Sequence, residues 1–419
     1  MDNLDIEGKS AAISVRQLKL FETTARLASV RRAADECSLS QPAVTQALAK
    51  LEDQVGAKLL ERRSSGSYLN KCGEIFYPRA VRFFTQLEEA ICELAVPGGP
   101  ATVPIIAKRF SRAHLRCLIA VVDSGSFSQA ASLLQINQSS LQRIARTIEK
   151  NLGKTIFCGA ATGKIVTPAG EQFGRKLKLA LREIDWGVQE IDAALGNSTA
   201  TIIVGAMPSG GSVLLASVLD EFVSAHPATD VKIVTENAPE LLKSLASGGV
   251  DLAIGLAQAT MDSEFNFESL AKTPYRVVAR RGHPLARQSK LTFNDLLQYR
   301  WIIGTPGSNR RACFDHLFAA ARIPRAAITT CALPIIHHLL ESSDRLTLMT
   351  SYELKHDSNA LVALPFENNF PEPSIGITTR ADWLPMSLHN DFTDLLRKRT
   401  ADAAASPKPR QARRKAAAV

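Results

Sequence analysis

The sequence predicts a multidomain protein in which two helix-rich modules of one kind precede a larger region of alternating strands and helices. Three observations predict this fold class. The chain has 419 residues, enough for about three domains. Residues in the N-terminal half recur at a constant offset of 97 positions. Beyond about residue 199, short apolar runs alternate with amphipathic helices, which is the order of an α/β domain.

The repeat preserves both residue type and spacing. Gln41 recurs as Gln138 and Gly56 as Gly153, with no insertion between the matched positions. The other matches at this offset are Leu18 with Leu115, Ala33-Ala34 with Ala130-Ala131, Glu52 with Glu149, Gly66 with Gly163, and Gly73-Glu74 with Gly170-Glu171. Such agreement over a whole segment predicts that one module was copied.

Composition sets the class of protein and its surroundings. Hydrophobic residues make up 45% and charged residues 22% of the chain, as in ordinary globular proteins. No apolar run approaches the roughly 20 residues that span a membrane, and the polar start MDNLDIEGKS lacks the order of a signal peptide. Seven scattered cysteines without a CxxC pair or zinc spacing favour reduced thiols. We therefore expect a cytoplasmic protein without a metal or a cofactor.

The formal net charge of +9 is unevenly placed along the chain. It is 0 over residues 1–97, +6 over 98–196, −1 over 197–400 and +4 over 401–419. A basic portion beside a neutral one favours a polyanionic partner for the first, although a surface that only confers solubility has the same charge. The basic, low-complexity tail AAASPKPRQARRKAAAV is expected to be disordered and to add non-specific DNA affinity.

The first module reads as three helices and a hairpin. Ser14 opens a helix with an apolar face, and a short helix follows at Val30–Glu36. Ser40 is a suitable N-cap and Pro42 falls in the first turn of the next helix, which Gly56 ends. LLERRSSGSYLN then predicts two short strands around a tight turn. This is the order of a winged helix-turn-helix domain.

The exposed face of the third helix has residues suited to DNA. Amides and a hydroxyl at a helix N-terminus can contact base edges in the major groove, and the wing arginines can contact phosphate. The predicted DNA-binding residues of this module are Ser40, Gln41, Pro42, Thr45, Gln46, Lys50, Arg62 and Arg63.

The second module repeats this pattern with different side chains. Its recognition segment carries more positive charge, because Arg143 and Arg146 face outward, and its wing keeps Lys164 but lacks an arginine pair. The predicted DNA-binding residues are Gln138, Ser139, Gln142, Arg143 and Lys164.

Each module is followed by a long helix with an apolar stripe at 3/4 spacing, which requires a partner helix. The first stripe runs from Phe76 to Leu94 and the second from Phe173 to Leu195. For the first helix the sequence leaves two partners open: a second subunit, or the second module of the same chain. VPGGPATVP between the copies predicts a linker.

The C-terminal half predicts a parallel sheet with βαβ order, from TIIVGAM through VDLAIGLA to SIGITTR. Two loops that lead into helices offer hydroxyl and backbone N–H groups, which suit a carboxylate or phosphate. The predicted effector-binding residues are Ser209 and Gly210 in the first loop and Thr305, Ser308 and Arg310 in the second. Plain helix capping is the competing interpretation.

Together these motifs resemble the LysR-type transcriptional regulators. RQLKLFETTA, SLSQPAVTQALAKLEDQVGAKLLERR and GE in the first module, and LLKSLASGGVDLAIG and VVARRGHPLA further on, are similar to that family. The resemblance implies two winged helix-turn-helix domains with linker helices that pair subunits, followed by an α/β effector domain of two lobes, like periplasmic binding proteins.

The expected boundaries follow from the motifs and the resemblance together. The winged helix-turn-helix domains are expected at 14–71 and 111–167, the linker helices at 72–96 and 168–197, and a Pro/Gly linker at 97–110. The effector domain is expected at 199–400, with one lobe at about 199–272 and 374–400 and the other at about 273–373. The tail is 401–419.

The resemblance also implies partners. They are double-stranded DNA, a small-molecule effector, other copies of the chain in a dimer or tetramer paired through the linker helices, and RNA polymerase. The effector is expected to be a small organic acid or a sugar acid. ESSDRLTLMT resembles the galactose-binding-protein-regulator subgroup, which points to a sugar or a sugar acid. The operator, the effector and the sign of regulation are left open.

Three alternatives remain at this stage. The second module is either a DNA reader or a spacer for dimerisation. An enzyme is disfavoured, because Ser209/His226 and His337/His338 lack the spacing of a nucleophile and its base. A transporter's solute-binding protein has a similar C-terminal fold but no DNA modules.

We expect Cys313 and Cys331 to be two buried structural thiols rather than a redox pair.

Overall fold

The structure, a computed structural model, has two compact units that divide near residue 201, except that residues 228–230 and 246–249 cluster with the first. It describes residues 9–160, 163–197, 200–208, 210–258, 260–319, 326–355, 360–367 and 370–405. The expected disorder of the tail falls on 406–419, outside the described residues, whereas residues 401–405 belong to the last helix.

The first module has the predicted order of three helices, a hairpin and a long helix. After a 3-10 turn at Lys9–Ala12, its elements are α1 (Val15–Leu27), α2 (Val30–Glu36), α3 (Gln41–Val55), β1 (Leu60–Arg63), β2 (Gly66–Leu69) and α4 (Lys71–Glu93). The antiparallel strands β1 and β2 form the wing.

The second module repeats this order, and each of its six elements begins 97 residues after its counterpart. Its elements are α6 (Arg112–Ser124), α7 (Phe127–Leu133), α8 (Gln138–Leu152), β3 (Phe157–Ala160), β4 (Gly163–Val166) and α9 (Pro168–Ala194). The hairpin β3–β4 is antiparallel like the first wing.

The caps of the two copies explain why the elements coincide. Ser14 and Ser111 each form a capping box at the start of the first helix. Gly56 and Gly153 end α3 and α8 in the left-handed region, at φ of +83° and +63°. The same local hydrogen bonds therefore define both helix-turn-helix segments.

The segment between the modules differs from the expected Pro/Gly linker. Gly98 and Gly99 do form a turn with positive φ. A 3-10 turn at Pro100–Thr102 and a short helix, α5 (Val103–Ala107), follow. Buried apolar side chains of this segment, including Ile106 in α5 and Phe110 just after it, join the hydrophobic core of the first unit. Composition hid this helix because proline and glycine lie beside it.

The long helices α4 and α9 pack against each other within the chain. Their stripes are buried, with Phe76, Phe83 and Phe173 at 1% exposure or less, and one hydrophobic core runs through both modules. Of the two partners that the sequence left open for α4, a second subunit and the second module, the structure shows the second module, through its helix α9.

The first lobe of the second unit is a five-stranded sheet with helices beside it. Its elements are β5 (Ala200–Ala206), α10 (Gly210–Ala225), β6 (Thr229–Thr235), α11 (Ala238–Ala246), β7 (Leu252–Leu256) and β8 (Phe265–Lys272), and the chain returns to this lobe with β14 (Ser374–Arg380) and α16 (Ser387–Ala405). The strand order is β6-β5-β7-β14-β8.

The second lobe lies between β8 and β14 in the sequence. Its elements are β9 (Tyr275–Arg280), a 3-10 turn at Pro284–Arg287, α12 (Phe293–Leu297), β10 (Trp301–Ile303), α13 (Asn309–Leu317), β11 (Ala326–Thr329), α14 (Leu333–Glu341), β12 (Leu346–Thr350), α15 (Ser351–Lys355) and β13 (Leu361–Ala363). The strand order is β11-β10-β12-β9-β13. The chain thus passes between the lobes twice.

The prediction of a parallel sheet is wrong in part, because both sheets are mixed. β5 pairs with β7 in parallel, but β14 runs antiparallel to both β7 and β8. A chain that returns from the other lobe enters the sheet from the opposite end, so its strand direction is reversed. No helix among the described residues is long and apolar enough to cross a membrane.

Candidate functional site

The N-terminal turn of α3 is held by the cap that the sequence predicted. Ser40 Oγ accepts a hydrogen bond from the Ala43 backbone N–H at 3.4 Å, and Pro42 lies in the first turn. The opposite face is buried through Val44 and Leu48. The buried residues of α3 fix its rotation and leave its polar face available to DNA. On that face Ser40, Gln41, Pro42, Gln46 and Lys50 are exposed and Thr45 is half-buried.

The first wing brings an arginine close to this helix. A surface cavity of about 280 Å³ lies between α3 and the wing and includes Thr45 and Arg62 in its lining. Arg62 and Arg63 are both exposed. Arg63 pairs with Glu61 and lies 5.4 Å from the centre of the Tyr68 ring. Thr45 and Arg62 therefore share one surface, while the charge of Arg63 is partly compensated.

Helix α8 has a different cap from α3. Asn137 Oδ1 accepts hydrogen bonds from the Ser140 N–H and the Ser139 hydroxyl, both at 2.8 Å. Ser139 thus takes part in the cap as well as lying on the predicted DNA face. Gln138 and Arg143 are exposed and Gln142 is half-buried. The sequence analysis missed Asn137, although asparagine is a preferred N-cap residue.

The second wing is described less fully. Lys164 lies opposite Gly159 in the hairpin, but its side chain and residues 161–162 lie outside the described part of the chain. Its predicted contact with DNA therefore stays a prediction.

One glutamate joins helix and wing in each module. The Glu52 carboxylate accepts from the N–H groups of Leu59 and Leu60 at 3.0 and 3.2 Å. Glu149 accepts from Ile156 and Phe157 at 3.0 and 3.1 Å. The wing is thus held at the same place relative to the recognition helix in both copies. The repeat marked these glutamates, but only the structure shows what they bind.

Charged residues lie inside the α4–α9 interface. Arg79 donates to Glu183 at 2.8 Å and to Glu190 at 2.9 Å, and Arg82 donates to Glu183 at 2.8 Å. Arg79 and Glu183 are 1% and 0% exposed. Sequence reasoning missed this cluster because it followed the apolar stripe alone. Breaking a buried ion pair is costly, so the cluster favours one particular pairing of the two helices.

The second predicted effector loop leads into α13. Ser308 Oγ accepts from the Arg311 N–H at 3.2 Å and donates to the Thr305 carbonyl at 2.7 Å. Thr305 is exposed and Ser308 half-buried. In the first loop Gly210 starts α10 and is buried, while Ser209 lies outside the described residues.

Arg310 is placed differently from the expected effector contact. It is 4% exposed and pairs with the buried Glu353 at 3.1 Å. Glu353 in turn accepts from the Thr350 N–H at 2.8 Å. An anion in the loop would therefore meet a compensated charge rather than an open guanidinium.

Cys331 lies beside this loop, with its sulfur 3.4 Å from Thr305 Oγ1. Burial by itself raises the pKa of the Cys331 thiol, but hydrogen bonds from Thr305 and Ser308 and the nearby Arg310 outweigh it and hold the pKa below its usual value. Burial raises the pKa of Cys313 to about 12. Cys313 is buried as expected, whereas Cys331 is half-buried.

An exposed helix beside a wing, present twice and followed by a two-lobed α/β domain, defines a class of transcriptional regulators with a ligand-binding domain. The sequence profile of the bacterial regulatory helix-turn-helix protein, lysR family, matches residues 15–74 and again 113–171. The profile of the LysR substrate binding domain matches residues 196–401. The chain belongs to the LysR family. It is therefore a regulator that binds DNA and responds to a small molecule, and it is not an enzyme.

Named relatives of similar sequence are also transcriptional regulators. The HTH-type transcriptional regulator GalR of Pseudomonas putida is 29% identical over 378 residues, which cover 88% of this chain and 93% of that protein. PcaQ of Agrobacterium fabrum is 26% identical over 292 residues, covering 68% and 94%. A full-length OxyR variant from Pseudomonas aeruginosa has a similar fold, with a TM-score of 0.50 at 19% identity, covering 68% of this chain and 96% of that one.

Proposed function

We propose that both modules contact DNA and that the second unit binds a small organic acid or sugar acid, which changes DNA binding. The regulator would act in the cytoplasm, as expected for a member of a bacterial DNA-binding family. The observation that carries the two-module proposal is the exposed face of α8. Like α3, α8 buries its apolar face, but its exposed face carries more positive charge.

The charge and burial of α8 support contact with DNA. Arg143 and Arg146 are exposed, while Leu141, Ala145 and Ile148 on the opposite face are buried at 2% or less. Arginine binds both guanine edges and phosphate. The competing proposal makes the second module a spacer, and the packing of α9 on α4 supports that proposal equally. Only a DNA measurement separates the two.

The test compares two double variants on one duplex from the promoter region of the protein's own gene. Gln41→Ala with Thr45→Ala disables the first reader, and Gln138→Ala with Arg143→Ala disables the second. We expect each to lower affinity about tenfold or more, since specific base contacts are worth roughly 1–3 kcal/mol. The second should also reduce the slope of affinity against salt by about 1.

Arg175→Ala provides the control, because it removes an arginine that is 42% exposed on α9 and lies outside both recognition helices. It should leave the affinity and the salt slope unchanged. If the second double variant behaves like this control, module two does not read DNA and the spacer proposal stands.

The polar groups around Thr305 support an acidic effector. The Thr305 hydroxyl and backbone N–H and the Ser308 hydroxyl, which lower the pKa of Cys331, are groups that favour negative charge. The same donors would bind a carboxylate at the start of α13. Sugar acids are the narrower choice, because ESSDRLTLMT resembles the galactose-binding-protein-regulator subgroup.

Thermal shifts of the full chain with a panel of sugar acids, aliphatic and aromatic acids, and their amides test the effector class. Acids should raise the melting temperature and amides should not. Thr305→Val and Ser308→Ala should abolish the shift. Thr292→Val, which removes a capping hydroxyl elsewhere in the same lobe, is the matched control. Equal shifts with acids and amides would contradict an acidic effector.

The remaining partners are part of the same proposal. The effector would act by binding two conformations with different affinity. A homo-oligomer of two or four chains would use surfaces other than the buried stripes of α4 and α9, since those stripes cover each other. RNA polymerase is proposed as the target of regulation, and transcription from the operator in vitro with and without effector would measure both its involvement and the sign.

A further inference from the structure

The linker helices pair in antiparallel fashion, and the pairing has an internal symmetry. Arg79 in α4 bonds to Glu190 in α9. Near the other end of α4, Glu93 bonds to Lys176. Adding 97 to 79 gives 176, and subtracting 97 from 190 gives 93. The two ion pairs are therefore the same contact made twice, with the roles of the modules exchanged.

A third contact fixes the axis of this symmetry. Gln86 Nε2 lies 3.4 Å from Glu183 Oε1, and these residues are themselves 97 positions apart. A residue that contacts its own equivalent lies on a two-fold axis, as in an isologous dimer interface. The first unit is thus a dimer of modules built within one chain, with its approximate dyad between Gln86 and Glu183.

The dyad determines how the two recognition helices are related. Matched contacts hold the wing to the recognition helix and to the linker helix in both modules. We therefore expect the rotation that exchanges α4 and α9 to exchange α3 and α8 as well. Duplex DNA has local dyads of its own, and proteins with two-fold symmetry bind half-sites in inverted orientation. A direct repeat would need readers related by a translation instead.

The two readers are not the same, however. Gln41 and Gln138 are equivalent and identical, but Gln46 of α3 corresponds to Arg143 of α8, and Lys50 to Thr147. An amide pairs best with adenine and an arginine with guanine. The two halves of a bound site therefore differ in preferred bases.

The interface also selects unlike partners. Glu183 occupies the position of Gln86, and it accepts bonds from Arg79 and Arg82 of α4. Two copies of α9 paired about this dyad would bring two buried Glu183 carboxylates together, which is strongly unfavourable. Two copies of α4 would place Gln86 and Glu93 where Arg79 now meets Glu183 and Glu190, so Arg79 would lose the buried Glu183 carboxylate that it now binds. Pairing of α4 with α9 is the arrangement that satisfies these charges.

We propose that a single chain binds an operator of two inverted half-sites with different base sequences, each module covering one half-site. This inference rests on the proposed DNA contact by both modules. It goes further in assigning the orientation of the half-sites, their inequality and the origin of both readers in one chain.

Selection of bound duplexes from a random library, with the full chain, tests the operator. We expect an inverted pair of unlike half-sites. Gln41→Ala with Thr45→Ala should relax base preference in one half, and Gln138→Ala with Arg143→Ala in the other. A direct repeat or two identical halves would overturn the inference while leaving two-module binding intact. A single half-site, unaffected by the second double variant, would instead overturn the proposed function.

Mixing the two double variants tests whether both readers come from one chain. Each variant alone should bind the selected duplex about tenfold or more weakly than the original chain. If both modules must lie in the same chain, the mixture should bind the duplex no more tightly than the tighter-binding of the two variants. Restored affinity in the mixture would show that different chains supply the two readers, and would overturn the proposal.

Discussion

At the scale of single residues, the repeat conserves structural roles more closely than it conserves the predicted DNA contacts. Glu52 and Glu149 make the same pair of backbone hydrogen bonds, whereas Gln46 and Arg143 occupy equivalent exposed positions with different chemistry. Positions that hold the wing tolerate little change because their backbone partners are fixed. Positions that face DNA are free to differ when the two half-sites differ.

Glu149→Ala should loosen the second wing. The N–H groups of Ile156 and Phe157 would lose their acceptor, and both residues are 3% exposed or less. An unsatisfied buried N–H costs about 1–3 kcal/mol. We expect faster hydrogen exchange in peptides covering residues 153–160. Glu171→Ala, an exposed glutamate of α9, should leave that exchange unchanged. Equal exchange in both variants would contradict the role of Glu149.

His283 predicts a pH dependence in the second lobe. Burial lowers its pKa below the usual 6.5, against the opposing effect of the Asp344 carbonyl. The neutral ring accepts from the Leu285 N–H at 3.1 Å through Nδ1. The pKa of His283 is lower in the folded state than in the unfolded chain. The neutral ring therefore stabilises the fold above pH 6.5, and this stabilisation is lost as the pH falls through the folded-state pKa.

Hydrogen exchange of peptides covering residues 281–299 at pH 7 and pH 5, corrected for the intrinsic rate, measures this effect. Protection should fall at pH 5. In His283→Gln, which can still accept from Leu285 but cannot titrate, the loss should be smaller. A variant with the same pH dependence as the original chain would rule out His283 as its source.

At the scale of elements, the sequence predicted the helix-turn-helix segments closely because their signals are local. Ser40, Pro42 and Gly56 bound α3 as expected. It missed α5, whose flanking prolines and glycines indicate a loop, and it missed β8. β8 is an edge strand whose alternation of apolar and polar residues stops after Glu268, where its pairing with β14 shifts register. Ion pairs across α4 and α9 depend on distant residues and lie beyond any local signal.

The junction of wing and linker helix predicts a steric effect of glycine replacement. A Cβ on Gly170 would lie 2.6 Å from the Ile156 carbonyl oxygen, and on Gly73 2.1 Å from that of Leu59. Neither backbone oxygen can move without displacing its strand. Gly170→Ala should therefore cost about 1–3 kcal/mol of stability, measured by urea unfolding of the full chain.

Gly159→Ala is the matched control, because its Cβ would meet nothing within 4 Å. It should unfold at the same urea concentration as the original chain or very near it. If Gly170→Ala also does so, the junction is less tightly packed than its contacts indicate.

Cross-linking tests whether α4 and α9 pair within one chain in solution. Glu93 and Lys176 bond across the interface and are 46% and 29% exposed. Their replacement by cysteine, in a chain with serine at the exposed Cys92 and Cys158, should give a monomeric product with a short bis-maleimide. Either single cysteine alone should give no product of twice the chain mass. A covalent dimer from the double variant would show pairing between chains.

At the scale of the whole molecule, the sequence placed the change from modules to effector domain at residue 199, and the units divide near residue 201. The hydrophobic period changes there, so this division needed no tertiary information. The effector loops were harder to predict. Arg310 looked like an anion contact, but its charge is taken up by Glu353, 43 residues further along the chain.

The basic tail gives a prediction for the whole chain. Residues 406–419 carry five positive charges, Lys408, Arg410, Arg413, Arg414 and Lys415, and no acidic residue. Deleting them should weaken binding to a random duplex and lower its salt slope by at most about 0.9 for each DNA phosphate that the tail had neutralised. Discrimination in favour of the operator should rise. Replacing the five residues by glutamine, at constant length, should have the same effect if charge is the cause.

The pairing of α4 with α9 inside one chain also affects how the regulator responds to its own abundance. When a regulator must first dimerise, its competent form declines with the square of chain concentration once chains are scarce. Here the paired modules form as one polypeptide folds, so their concentration declines only in direct proportion. If one chain binds the operator with both modules, as we propose, a cell with few copies would still keep most of them ready for the operator. Dilution at cell division would then weaken regulation gradually rather than abruptly.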